Sequence, residues 1–270
     1  LRAIVCGDES ATAITRAWQS LGGIEKRMLN FLENHDEQRI ASDFFASNPR
    51  KAIPALIVSA CMNVNPMMIY FGQEFGELGM DSEGFSGRDG RTTIFDYWSV
   101  DTIRRWRNGG KFDGKMMTDN QKHLYAIYQR ILTLCNEEKA ISQGDFFDLM
   151  YANVNGWRFN EHKQYTFLRK SGRELLLFVV NFDHILHTFY ERFPSFRMAF
   201  CLDQSLNLVL HVVAFPGDHG NVFTGHFILQ LPLVPQVFVF RKCSLDTKLS
   251  LQNSFQSQDQ HASSKGINLI

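Results

Sequence analysis

FLENHDEQRI, residues 31–40, is the stretch on which the reading of this chain turns. An apolar run, Met28-Leu29-Asn30-Phe31-Leu32, gives way at once to Glu33-Asn34-His35-Asp36-Glu37-Gln38-Arg39. A short apolar run of this kind predicts a buried strand, and the residues after it predict a polar tip. The question is whether that tip is an active-site rim or an ordinary solvated turn.

Working outward, the neighbouring segments predict alternating helices and strands. SATAITRAWQSL, residues 10–21, predicts a helix with Ser10 as N-cap and Gly22-Gly23 as its stop. In NPRKAIPALIVSACMN, residues 48–63, Asn48 is the cap and Pro49 the first helical residue, and the helix is apolar nearly all round. Pro54 is then an oddity in its second turn. PMMIYF, residues 66–71, predicts a second strand running into GQEFGE. The order helix, strand, helix, strand predicts parallel strands in βα units.

Residues 76–117 read as a long Gly- and Asp-rich loop, held in order by Phe85, Phe95, Tyr97, Trp98 and Trp106. Thr118 and Gln121 form a capping-box pattern. It opens a helix with Leu124, Ile127, Tyr128, Ile131, Leu134 and Cys135 on one stripe. Beyond Glu138 the texture changes to short β-branched and aromatic runs, FFDLMYANV, QYTFLRK, ELLLFVVNF, LNLVLHVVAF and QVFVFRK, which predict an antiparallel sandwich. The expected division is 1–140, the C-terminal part of a (β/α)8 barrel; 141–243, a β-sandwich; and 244–270, a polar tail. A closed (β/α)8 barrel takes about 250 residues, and the first 140 offer only two βα units, so the barrel expected here is partial.

Composition narrows the function. The chain has 270 residues, 44% hydrophobic, with Lys+Arg and Asp+Glu equal at 28. That is enough chain to bury a core, and no positive excess points to nucleic acid. Ala55 to Phe71 is broken by Asn63, Asn65 and Pro66, too short an apolar run for a membrane span of about 20 residues. The five cysteines (6, 61, 135, 201, 243) are odd in number and form no CxxC pair. They read as free thiols in a reducing compartment, which leans towards the cytoplasm. The opening LRAIVCGDES has no Met and no signal-peptide pattern, and reads as a start within something longer. Neither a GxSxG elbow nor a phosphate-binding glycine loop occurs. His184 and His187 fall in a strand or turn, where their spacing does not suit a metal. Arg39 is expected to be a structural partner of Glu33 or Glu37, and Trp106 to pack in the loop or core.

Three motifs in order carry a resemblance. ENHDEQRI (33–40) resembles the fourth signature region of the α-amylase family of glycoside hydrolases. MIYFGQEFGE (68–77) resembles that family's eighth barrel strand and the turn after it, and FSGRDGRTTIFDYW (85–98) the loop that follows in some bacterial members. The resemblance covers residues 10 to about 182. It implies a retaining enzyme acting on α-glucans such as starch or maltooligosaccharides. Such an enzyme needs two carboxylates about 5 Å apart, a nucleophile and a general acid/base, around an oxocarbenium-like transition state. A third carboxylate of the family falls on Asp36, which would stabilise the transition state by hydrogen-bonding hydroxyls of the distorted sugar. By the same resemblance His35 would bind that sugar beside it. Asn34, Glu74 and Trp98 are further substrate-binding candidates, Glu74 being equally readable, with Gln73, as a structural turn.

The family's nucleophile Asp and acid/base Glu belong to earlier strands and have no counterpart here; GRDGR (87–91) lies downstream of Asp36, in the wrong order. The chain is therefore expected to be the C-terminal portion of such an enzyme, inert alone and prone to aggregate through unpaired strand edges. No metal ligands or other cofactor sites are expected in it. The Ca²⁺ of many family members would be held mostly by segments outside it. Two alternatives stay open: a non-catalytic carbohydrate-binding or scaffold protein of amylase-like fold, and a transglycosylating relative.

Overall fold

The structure is a computed structural model. It describes residues 1–80, 88–95, 100–153, 159–172 and 174–183, and the backbone of four further strands within 199–242. The helices are α1 (Arg2–Cys6), α2 (Ala13–Gln19), α3 (Ile53–Cys61), α4 (Asp101–Arg107), α5 (Asp119–Glu137) and α6 (Lys139–Ser142). The strands are β1 (Asn30–Phe31), β2 (Met67–Met68), β3 (Asp145–Asp148), β4 (Gln164–Ser171), β5 (Glu174–Asn181), β6 (Ala199–Leu202), β7 (Leu208–Ala214), β8 (Phe223–Leu229) and β9 (Val237–Lys242).

The two strands expected in the first part pair in parallel, Asn30 with Met67 and Phe31 with Met68. Each is only two residues long. On the β1 side, the chain leaves the ladder after Phe31 because the Glu33 carboxylate turns back to accept the Ile40 N–H. Asn30 also anchors the pair to α3, its Nδ2 donating to Ser59 O and Asn63 Oδ1, both at 2.8 Å.

All nine residues of α3 are buried, as an all-round apolar helix requires. It starts later than expected. A 3₁₀ turn (Pro49–Ala52) comes first, with the Arg50 N–H donating to Asn48 Oδ1 at 3.0 Å. Pro54 therefore stands in the first turn of α3, where its missing N–H has no helical acceptor to lose. The first predicted helix also contracts, from 10–21 to α2. Ser10 Oγ accepts the Thr12 N–H and the Ala11 N–H donates to His162 O, so the entry turn is spent outside the helix.

The capping box at Thr118 and Gln121 is present, and Leu124, Ile127, Tyr128, Ile131 and Leu134 of α5 are buried. The long loop expected over 76–117 contains a short helix, α4, with Asp101 at its start and Arg104, Arg105 and Arg107 at its end. That charge order suits the helix dipole, and Arg105 pairs with Asp101 at 2.6 Å. Residues 85–87 and Trp98 lie outside the described residues, as do His184, His187 and the region from 243 onward.

The expected antiparallel β region is there. Its described strands join into one seven-stranded sheet, in the order β3-β4-β5-β9-β8-β7-β6. Two layers of a sandwich were expected; the described strands form this one sheet. A single apolar cluster runs from α3 and α5 through α6 into the inner faces of β4 and β5, including Leu56, Ile131, Tyr165, Phe167 and Phe178. Arg169 of β4 is buried at the centre of this junction. Its guanidinium donates to Met62 O (2.7 Å), Ala140 O (3.0 Å), Ile141 O (2.6 Å) and Gly144 O (2.9 Å). A single cation thereby satisfies four carbonyls around the ends of α3 and α6.

Candidate functional site

Residues 33–40 leave β1 and return to the protein as a closed excursion. Its base is an ion pair between Glu33 and Arg39, Nη1 to Oε2 at 2.9 Å, with side chains 2% and 0% exposed. Glu33 Oε1 takes the Ile40 N–H at 2.6 Å, so both carboxylate oxygens are used. Burial pushes the Glu33 carboxyl above its ordinary range, and the Arg39 charge and the Ile40 N–H oppose that shift.

Arg39 also ties three segments together. Its Nη2 donates to Phe71 O just past β2 (2.8 Å), its Nε and Nη2 reach Thr92 Oγ1, and its own N–H donates to Gly90 O at 2.6 Å. The guanidinium carbon lies 4.3 Å from the Tyr70 ring centroid and 4.9 Å from that of Phe71. Tyr70 then donates through its hydroxyl to Thr92 O at 3.1 Å. The three resembling motifs are thus joined through one buried arginine. Of the two partners expected for Arg39, the structure gives Glu33, while Glu37 pairs with Arg2 at 3.0 Å.

Above this base the tip is shaped by Asn34. Its Oδ1 accepts the backbone N–H of Asp36 (2.8 Å) and of Glu37 (2.9 Å), an Asx turn that fixes the backbone under Asp36. His35 and Asp36 point outward, their side chains 48% and 76% exposed, with His35 Nε2 3.5 Å from Asp36 Oδ2. A wet carboxylate beside an imidazole can accept hydrogen bonds from ligand hydroxyls and, through the ring, donate one. It cannot by itself carry out a double displacement, which takes two carboxyl groups.

Glu74 follows β2 at the same end of the parallel pair that Asp36 follows on β1. It lies in a 3₁₀ turn (Gln73–Phe75), half-buried, and its buried Oε2 has no hydrogen-bond partner among the described residues. Burial raises its carboxyl, partly offset by backbone hydrogen bonds and the Arg39 charge. Gln73 has a structural role: its Nε2 donates to Tyr128 Oη at 3.1 Å and its Oε1 accepts the Tyr70 N–H at 3.4 Å. Burial, with Glu33 nearby, holds the Tyr128 phenol far above its usual range, so it stays protonated.

The buried Glu77 was not singled out from the sequence. It accepts from Thr102 Oγ1 (2.5 Å) and the Gly79 N–H (3.0 Å), pinning α4 to the turn after β2. Gly79 and Gly90 touch backbone to backbone: a Cβ on Gly79 would lie 2.8 Å from the Gly90 carbonyl carbon. Trp106 stacks on Phe75 (5.7 Å) and meets Phe112 edge-on (5.4 Å), the packing role expected of it. No group of three or more potential metal-ligating His, Cys, Asp or Glu occurs among the described residues. Nor is any helix among them long and apolar enough to cross a membrane.

No protein-family model matches the chain, and no curated protein matches it. Solved structures do. The chain is similar to a single-residue variant of AmyP in complex with maltotriose, with a TM-score of 0.50 and 12% identity over 87% of this chain and 45% of that one. The fold is amylase-like. Amy13B of Eubacterium rectale matches with a TM-score of 0.48 and 15% identity, over 90% of this chain and 46% of that one. The maltogenic α-amylase AmyB of Thermotoga neapolitana matches with a TM-score of 0.46 and 12% identity, over 90% and 48%. At such identities the likeness is one of fold. The amylase-like chain spans less than half the length of these structures.

Proposed function

We propose that this chain is the C-terminal part of a retaining α-glucan glycoside hydrolase, to which it contributes the transition-state-stabilising Asp36. The observation that carries the reading is the tip after β1. The Glu33–Arg39 pair and the Asn34 turn hold the backbone rigidly beneath two outward polar side chains, Asp36 and His35. A group that must hydrogen-bond a distorted sugar is effective only if its position is fixed before the substrate arrives. The ordered motifs and the amylase-like fold support the same assignment.

In this reading Asp36 accepts hydrogen bonds from hydroxyls of the reacting sugar, bonds that shorten as positive charge develops on the ring. His35 contacts the same sugar. Asn34 holds the turn through Oδ1, leaving its Nδ2 for a ligand. Glu74 keeps its candidate role as a rim residue, although its Oε2, without a hydrogen-bond partner among the described residues, is buried. Trp98 keeps its candidate role as a stacking surface. The nucleophile and the acid/base come from polypeptide outside these 270 residues, as would the ligands of any Ca²⁺. The substrate proposed is an α-glucan oligo- or polysaccharide, as maltotriose is the ligand in the AmyP structure. The exposure of His35 and Asp36 equally suits a second reading, carbohydrate binding without turnover.

Reducing-sugar release from maltooligosaccharides tests both. The 270-residue chain is expected to be silent, and the product of its whole reading frame active. Asp36→Asn in that product is expected to lower kcat by about 10²–10³-fold, the scale for removing one preorganised transition-state contact. Turnover by the 270-residue chain alone, or an unchanged kcat in Asp36→Asn, refutes the assignment. Maltotriose binding without turnover by the whole product favours the second reading.

A further inference from the structure

Two cysteines that the sequence separates by more than seventy residues meet in the core. Cys61 is the last residue of α3 and Cys135 lies near the end of α5, and their Sγ atoms are 3.6 Å apart. Cys61 is buried and Cys135 half-buried, so only the second is open to a reagent. The two sulfurs are in contact, the approach that must come before a bond of about 2 Å.

We propose that Cys61 and Cys135 form a dithiol–disulfide site, closed by exchange with a small-molecule disulfide of the glutathione type. The chemistry divides between them. Cys135 is the attacking sulfur: its thiol is held below the ordinary range by the hydrogen bond with Cys61, and the Arg169 charge acts the same way. Its thiolate attacks one sulfur of the external disulfide and expels one thiolate. Cys61 is the resolving sulfur, kept protonated by the same hydrogen bond and by burial. It gives its proton to the expelled thiolate, attacks Cys135 Sγ and releases the second small thiolate, which takes up the proton lost from Cys135. Two cysteine thiols are oxidised by two electrons, and one external disulfide is reduced to two thiols. Cys6 is exposed, and its Sγ lies against Phe45 O. It has no such neighbour among the described residues, so it stops at the mixed disulfide.

The test is native incubation of the reduced chain with oxidised glutathione, followed by peptide mass mapping. The expected result is a linked peptide pair joining Cys61 to Cys135, free of glutathione, while Cys6 carries glutathione. In Cys61→Ala the adduct is expected to persist on Cys135, since no resolving sulfur remains; Cys61→Ser serves if the alanine chain does not fold. Dithiothreitol is expected to reopen the wild-type link. A wild-type Cys135 that retains glutathione, or stays reduced while Cys6 reacts, overturns the proposal.

Discussion

Arg39→Met is the perturbation that probes the junction of the three motifs most directly. Methionine keeps much of the apolar stem but removes the cation that meets Glu33 Oε2, Phe71 O and Thr92 Oγ1. Glu33, whose side chain is 2% exposed, is then left with the Ile40 N–H as its donor. Breaking a buried pair from one side costs about 3–5 kcal/mol, because the remaining charge has neither water nor counter-ion. Against a total stability of about 5–15 kcal/mol, the variant retains little margin. Urea unfolding at pH 7, followed by circular dichroism, measures the loss. Glu33→Gln combined with Arg39→Met removes the stranded charge while Gln Oε1 can still accept from Ile40, and it is expected to recover about 2 kcal/mol. The sign with pH follows from the same geometry. The Arg39 charge holds the Glu33 carboxyl down, so removing it raises the folded-state value further above the unfolded one. A raised carboxyl contributes stability below the unfolded value and loses it as pH rises. The Arg39→Met deficit is therefore expected to shrink on acidification. A loss under about 1 kcal/mol, or a double variant no better than the single one, would refute the reasoning.

Glu74→Gln is expected to raise the melting temperature at pH 7. Burial lifts the Glu74 carboxyl, so ionising it in the folded state costs stability, and the gain should vanish below the ordinary carboxylate range. Arg169→Met leaves four carbonyls without their shared donor and is expected to cost about 3 kcal/mol or more in urea unfolding; burial pulls this guanidinium only to about 10, so the wild-type residue is charged at neutral pH. Gly144→Ala brings a Cβ within 2.5 Å of Lys170 O and is expected to cost about 1–3 kcal/mol by the same measure. Asp36→Asn, 76% exposed, is expected to change stability by less than about 0.5 kcal/mol, which separates any loss of turnover from misfolding.

The parts of this molecule that were legible in its sequence are those decided by neighbours a few residues apart. Thr118 and Gln121 cap each other across one turn, and the α5 stripe repeats at helical spacing, so both could be read before any partner was known. The apolar surround of α3 was equally plain, though Pro54 looked misplaced until the 3₁₀ turn before it came into view. Helix α4 was missed because glycines around it dominated the reading, although Asp101 and three closing arginines carried a dipole-matched signal. At the candidate site, the outward placement of His35 and Asp36 follows from local polarity. The inward turn of Glu33 and Arg39 does not: it depends on Phe71 and Thr92, 32 and 53 residues beyond Arg39. Pairings of that range, like β5 with β9, leave no periodic trace.

Helix α3 has no wet side, since every one of its residues is enclosed. A segment of that kind has nowhere to absorb a random substitution cheaply: a larger side chain meets packed neighbours and a smaller one opens a hole. Variation that the fold tolerates must then collect in the outer loops. The scaffold behind the polar tip is left as the least adjustable part of the molecule, a fixed anvil against which the shape of the rim can change.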